Sequence, residues 1–174
     1  MGSSSQDYYK DEAVLACILN KSERNFIRNS WQNIQKKKID LVQIGIDTFV
    51  TIFTKHPEAK SNFPFFQDIN SVCLKYNIMM RSHSLSVSRM ISQAISLIDD
   101  YRLFFKELFD LGARHFARKT NIILLELFAA TYVSKLVVCA NMNQNSERTW
   151  RKFLSLVTTV MHKGIQNASE AEER

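Results

Sequence analysis

The chain has 174 residues, of which 45% are hydrophobic, including twelve Phe, and it contains only four Gly and two Pro. This is enough apolar side chain for one domain with its own core, and the shortage of turn-forming residues predicts an all-α fold. Three widely spaced cysteines without a CxxC pair fit neither a disulfide framework nor a zinc site, and they favour a protein of the reducing cytoplasm.

The net charge of +6 does not by itself predict a partner. The basic residues are spread among acidic ones, and Lys36–Lys38 is the one tight cluster, which is typical of a solvated corner. No apolar run reaches the roughly 18 residues that a membrane span needs. Gly2 could begin a myristoylation pattern, but Gln6 stands where that pattern has Ser or Thr. We therefore expect neither nucleic acid nor a membrane as partner.

The chain begins with an extension, residues 1–21, which we expect to be partly disordered apart from a short helix at Val14–Leu19. Asn20 and Glu23 have the spacing of a helix capping box. The helix predicted after them carries apolar residues at steps of three and four, and the lysine cluster ends it. The members of this stripe are Phe26, Ile27, Trp31 and Ile34.

A second helix is predicted over Leu41–Phe53. His56 and Pro57 follow it, and the proline cannot continue a helical hydrogen-bond ladder. Next comes an aromatic corner, Phe63–Phe66. From Ser71 to Asp99 the apolar residues recur so regularly that we predict one long helix. Its stripe includes Tyr76, Met80, His83, Val87, Ala94 and Ile98.

The predicted helix Leu103–Ala117 places Leu108, Leu111 and His115 on one inward line. Two more helices are predicted, over Ile122–Ala140 and Trp150–Ile165. Residues 167–174 lack an apolar stripe and predict a flexible tail. The whole is then one domain, residues 22–166, between two short extensions.

His83 and His115 are two inward histidines on different helices, 32 residues apart. Either can be an ordinary core histidine that is hydrogen-bonded to backbone or water. As a pair they could hold a metal or a flat metallocofactor between the helices, since neutral imidazole is a good iron ligand. No further ligand sits at zinc spacing, and the apolar surroundings and the lack of a CxxCH motif favour non-covalent haem.

These residues together resemble the globin family. His56-Pro57-Glu58 with Phe63 and Phe66 looks like the start of its helix C and the phenylalanine corner at the haem. His83 with Val87 resembles the distal histidine and the apolar residue one turn later. Leu111-Gly112 with His115 resembles the approach to the proximal histidine. Trp31 matches a common helix A tryptophan, and the match extends over residues 22–166.

The resemblance implies a globin fold, a three-over-three helical sandwich around haem b, with His115 and His83 at the iron. It also implies a set of residues around the ring, with Arg118 and Lys119 near the propionates. That set is Phe49, Phe63, Phe66, Val87, Leu111, Arg118, Lys119, Ile122, Leu125 and Phe128. Ser84 departs from the family pattern, which has glycine after the distal histidine.

The histidine spacing and Phe49 resemble neuroglobin-like proteins, which implies that both histidines bind iron when no gas is present. The function implied is O₂ or redox sensing, or electron transfer with a redox partner protein, and not an enzyme of its own. Reversible O₂ storage with an open iron site stays open, as does haem peroxidase or nitric oxide dioxygenase activity supported by an external reductant. Both monomer and dimer remain compatible with the sequence.

Overall fold

The computed structural model describes residues 18–173. The lipidation pattern at Gly2 and most of the predicted N-terminal extension lie outside this range. Six α-helices are described, joined between the second and third by three short 3₁₀ helices, Pro57–Asn62, Pro64–Phe66 and Ser71–Tyr76. The α-helices are α1 (Lys21–Lys36), α2 (Leu41–Lys55), α3 (Ile78–Ser96), α4 (Tyr101–Phe116), α5 (Ile122–Ala140) and α6 (Gln144–Glu172).

Local chemistry explains where α1 and α2 begin and end. The Asn20 side chain accepts a hydrogen bond from the Glu23 amide, and the Glu23 carboxylate accepts one from the Asn20 amide. This reciprocal pair confirms the predicted capping box. Helix α2 ends at Lys55, immediately before His56 and Pro57, as the proline predicts.

The long helix predicted over Ser71–Asp99 is shorter in the structure. Asn77 has an extended backbone, and its side chain accepts hydrogen bonds from the amides of Met79 and Met80, so that it caps α3. The residues before it form the separate 3₁₀ helix, and Tyr76 is 82% exposed. Tyr76 is therefore not part of the inward stripe, because a capping asparagine interrupts the helix there.

The end of the chain is more helical than predicted. Helix α6 begins at Gln144, capped by Asn143, and runs to Glu172. The last residues of the expected tail are thus helical as far as Glu172, although buried residues stop at Ile165. The mobility of this end stays a prediction.

The helices pack into two connected layers around a common core. Helix α6 packs on α4 and α5, α2 packs on α3 and α5, and α1 touches α3 and α6. One buried cluster joins α1 and α3–α6, and a second lies between α2, the 3₁₀ segments and α5. The predicted all-α class is confirmed, since every element described in residues 18–173 is helical.

Helix α5 corrects one expectation from the sequence. It is long and apolar enough to cross a membrane by length and composition, although the chain contains no unbroken apolar run of that size. Leu125, Tyr132, Val133 and Leu136 of this helix are buried in the protein core. Only 22% of the apolar window is buried inside the protein, and Ile123 and Val138 are more than two-thirds exposed.

Candidate haem site

A cavity of about 350 Å³ lies between α3 and α4 and reaches α2, α5 and α6. This volume is in the range of small-molecule pockets, roughly 300–1,000 Å³. It brings together most of the residues that the sequence predicted around a ring. The predicted residues that line it are Phe49, Phe63, His83, Val87, Leu111, His115, Arg118, Leu125 and Phe128.

His115 lies near the C-terminal end of α4 and is held in a single orientation. Its Nδ1 lies 2.8 Å from the carbonyl oxygen of Leu111, one turn earlier. Since a carbonyl only accepts, Nδ1 carries the proton and donates it, which leaves the lone pair on Nε2. Burial lowers the pKa of His115, and the charges of Arg118 and Arg114 lower it further, while the bond to Leu111 acts in the opposite direction. The ring is therefore a neutral imidazole at pH 7.

His83, on α3, faces the same cavity but is held by ring contacts alone. Its ring centroid lies 5.0 Å from that of Phe49 and 5.7 Å from that of Phe63. Within the described part of the chain its ring nitrogens make no hydrogen bond. Burial, and then the charges of His115 and Arg118, lower the pKa of His83 to about 4. It is neutral at pH 7, with a ring nitrogen free to bind something in the cavity.

The aromatic corner forms one wall of the cavity. Phe63 meets Phe49 edge-on at 5.6 Å and Phe53 at 5.2 Å between ring centroids. Phe66 stacks on Phe63 at 6.0 Å and is buried without lining the cavity. Phe66 therefore supports Phe63 from behind, and its predicted place against the ring is not where the structure puts it.

Two other residues of the predicted set also lie away from the cavity. Neither Lys119 nor Ile122 lines it. Lys119 has a left-handed backbone, with φ of 56°, in the turn that follows α4. The Lys119 side chain is exposed, whereas Thr120, the next residue, is buried and lines the cavity.

The rim of the cavity is basic and is tied together by Asn62. The Asn62 amide donates to the carbonyl oxygens of Lys119 at 2.7 Å and Arg118 at 3.3 Å. This links the segment after α2 to the end of α4. Arg114 and Arg118 complete the rim and could neutralise acidic groups of a ligand by charge-assisted hydrogen bonds.

Several lining residues were not assigned to the site from the sequence. Helical periodicity could have found Met90, Leu154, Val157 and Met161, because they are apolar residues at steps of three and four within predicted helices. The others have no comparable signal in the sequence. They are Asn62, Ser86, Arg114, Thr120, Leu124, Ala129 and Thr158.

The helix that carries His115 is pressed directly against α6. A Cβ placed on Gly112 would lie 1.9 Å from the carbonyl oxygen of Met161. No side chain fits there without moving one of the two backbones. Glycine in the sequence next to the proximal histidine therefore has a packing reason.

On the other side of the cavity, α3 meets α2 at Ser84, the residue that departs from the family pattern. Ser84 is fully buried, and a Cβ placed on Gly45 would lie 2.9 Å from its Cβ. The small residue at this crossing is thus on α2, opposite Ser84. Gly45 therefore leaves the room that the Ser84 side chain occupies.

The site suits a flat metallocofactor better than a bare ion. In residues 18–173 no cluster of three His, Cys, Asp or Glu residues could hold a metal ion. Two neutral imidazoles do face one cavity with apolar walls and a basic rim. Such a donor set fits haem: the two histidines would hold its iron, and arginines at the rim would bind its propionates.

Comparisons with known proteins agree with this geometry. A family model described as Globin matches residues 46–161. Human hemoglobin subunit zeta is 26% identical over 145 residues, which cover 82% of this chain and 95% of that subunit. The structure of a hexacoordinated heme protein from an anhydrobiotic tardigrade superposes with a TM-score of 0.76 at 20% identity, covering 85% of this chain and 96% of that one. The hexacoordinate hemoglobin of Drosophila melanogaster superposes with a TM-score of 0.70 at 17% identity, covering 82% and 93%.

Proposed function

This chain belongs to the globin family of haem proteins, and we propose that in this member His115 and His83 both bind the iron of a non-covalent haem b when no gas is present. The observation that carries the proposal is the His83 ring, which is neutral, faces the cavity and has no hydrogen bond to another described residue. Two similar structures are described as hexacoordinate, which supports the same arrangement here.

When bound, the haem would supply an iron that exchanges ligands and electrons. His115 would be the permanent ligand, because its bond to Leu111 fixes the Nδ1 tautomer and leaves Nε2 for the metal. Phe63, Phe49 and Phe128 would keep water from the ring. Arg118 would hold a propionate at the rim.

His83 would act as an internal competitor for gas. Globins bind O₂ and other diatomic gases, and such a molecule can take the sixth position only after His83 has moved away. Its ring packs against Phe49 and Phe63 and has no hydrogen bond to another described residue to break. We propose that this gated exchange serves redox or O₂ sensing, or electron transfer to a partner protein in the cytoplasm, rather than bulk O₂ storage.

Absorption spectra test the ligand assignment. The purified protein should be red, and both the ferric and ferrous forms should show a low-spin spectrum without added ligand. His83→Leu should make the ferrous form five-coordinate. His56→Leu is the matched control, because His56 lies outside the cavity and is partly exposed beside Glu58.

An unchanged ferrous spectrum in His83→Leu would show that His83 does not bind iron. Reversible O₂ binding at an open site would then be the better description, with His83 donating a hydrogen bond to the gas. His115→Ala should lose the haem. A colourless wild-type protein purified from haem-supplied cells would contradict both descriptions.

The gating role has its own measurement. Carbon monoxide binding to the ferrous wild type should reach a limiting rate at high gas concentration, because the departure of His83 becomes rate-limiting. The His83→Leu variant should bind faster, with a rate that keeps rising with concentration. A wild-type rate that rises linearly over the whole range would contradict gating.

A further inference from the structure

A second cavity, of about 210 Å³, lies between α3 and α4 beside the haem cavity. We call it the α3–α4 groove. It shares four lining residues with the haem cavity, namely Ser86, Met90, Leu111 and Arg114. The groove is therefore continuous with that cavity at one end.

The other end of the groove is apolar. Helices α3 and α4 are joined by a short turn, so the lining residues closest to that turn in sequence form the end away from the haem cavity. Ala94, Phe104 and Leu108 there are at most 3% exposed, and Leu97 is partly buried beside them. These four side chains are apolar, and Glu107, adjacent to Leu108 in sequence, also lines the groove.

The end near the haem cavity is cationic. Arg89 comes from α3 and Arg114 from α4, and both side chains are exposed. Neither makes an ion pair or a side-chain hydrogen bond with any residue in the range 18–173. Between the two ends, the Gln93 amide donates to the Glu107 carboxylate at 3.2 Å across the groove. The lining thus has two guanidinium groups against one carboxylate that is already hydrogen-bonded.

We propose that the α3–α4 groove binds a medium-chain aliphatic carboxylate. Its carboxylate would lie between Arg89 and Arg114, and its chain would run toward Leu97 and Phe104. Eight residues separate Arg89 from Leu97, which is about 12 Å along a helix and matches a chain of about eight to ten carbons. The volume of the groove is too small for a protein segment with side chains. A nucleotide would place polar groups against the apolar end, so an aliphatic chain fits that end better.

Calorimetric titration of the haem-loaded protein with decanoate tests the proposal, because haem then occupies the larger cavity. Decanoate should bind one per chain. Decylamine has the same tail with the opposite charge, and it should bind much more weakly. Butyrate keeps the carboxylate but loses most of the tail, and it should bind more than about a hundredfold more weakly.

Arg89→Gln should weaken decanoate binding about tenfold, because one charge-assisted contact is lost. Arg89→Lys should recover part of that loss. Arg81→Gln is the matched control, since Arg81 is an exposed arginine of α3 that lines neither cavity. Equal decanoate affinity in wild type and Arg89→Gln would overturn the proposal, as would equal binding of decylamine or no heat with decanoate.

The inference does not depend on His83 as an iron ligand. Heat reports occupancy of the groove, whereas absorbance reports the haem and its ligands. Decanoate binding to a protein with a five-coordinate spectrum would leave the groove assignment standing while the proposed gating failed.

Discussion

His115 and His83 face the same cavity, but the protein holds them in different ways. The His115 ring is bonded to Leu111, and its helix is pressed against the backbone of α6 at Gly112. His83 has only ring neighbours, and its helix meets α2 through the Ser84 side chain. Backbone groups hold the His115 ring and its helix, whereas side chains contact the His83 ring and its helix.

This difference supports the proposed roles of His115 as a permanent ligand and His83 as an exchangeable one. A helix pressed backbone to backbone cannot shift without disturbing the core, because protein interiors are close-packed. A ring held by aromatic contacts can rotate without breaking a hydrogen bond. The same neutral imidazole can therefore serve two roles, according to how its surroundings hold it.

The largest effect is expected at the crossing of α4 and α6. Gly112→Ala should lower the free energy of unfolding by about 3 kcal/mol or more, because the new methyl group overlaps the Met161 carbonyl and a backbone must move. Urea unfolding followed by helical circular dichroism measures it. A loss below about 1 kcal/mol would mean that this crossing is not rigid.

A smaller loss is expected from Gly45→Ala, at about 1–2 kcal/mol, because the obstacle is the Ser84 side chain. Adding Ser84→Gly should bring stability back close to the wild type. The double variant moves the glycine from α2 to α3. The gain in helix propensity from Gly45→Ala then nearly cancels the loss from Ser84→Gly. If Ser84→Gly gives no recovery, the two residues do not share the space that the structure assigns to them.

Asn62 connects the two halves of the site, so Asn62→Ala tests whether the distal segment steadies the helix of His115. Losing its bonds to Lys119 and Arg118 should lower stability by about 0.5–1.5 kcal/mol. Amide hydrogen exchange should become faster near residues 118–120. Ser61→Ala, in the same 3₁₀ helix, is the control and should leave this exchange unchanged.

The smallest effect is expected at the turn between the two histidine helices. Asp99 there forms ion pairs with Arg24, at 2.7 Å, and with Arg28 of α1. Burial tends to raise the pKa of Asp99, but hydrogen bonds from the two arginines outweigh it, and the pKa lies below its ordinary value of 3.8. Since Asp99 is half exposed, Asp99→Asn should lower stability at pH 7 by less than about 1 kcal/mol.

The pH dependence of that difference has a definite sign. A carboxylate whose pKa is lower in the folded state stabilises the fold above pH 3.8, and this contribution is lost as the pH falls through the folded-state pKa. The wild type and Asp99→Asn should therefore converge in acid. Asp68→Asn, which removes an exposed carboxylate without an ion pair among the described residues, should show no comparable convergence. A wild-type advantage that is constant with pH would contradict the ion-pair explanation.

Much of the fold could be predicted because its signals are local. The capping box at Asn20, the end of α2 before Pro57 and the inward direction of His83 and His115 depend on neighbours in sequence. The apolar period does not predict the start of α3 at Ile78, because it continues through Tyr76, whereas Asn77 caps the helix. A period shows which face turns inward, but not where a helix begins.

The rest of the site depends on how separate segments approach one another. Phe66 belongs to the aromatic corner, yet its place behind Phe63 is set by the turn of the 3₁₀ segments. Asn62 and Arg114 reach the rim only because the segment after α2 meets the end of α4. The space that Gly45 leaves for Ser84 exists only where α2 and α3 pack against each other. The spacing of residues along the chain does not predict how closely these separate segments approach one another.

The carbonyl oxygen of Leu111 also sets how strongly His115 donates electrons. A carbonyl has no net charge, so it draws the Nδ1 proton less than a carboxylate would and leaves the imidazole a moderate donor. Strong donation toward iron is what favours cleavage of an oxygen–oxygen bond. With Leu111 as its partner, His115 would be a moderate donor, which supports the proposed exchange of ligands and electrons.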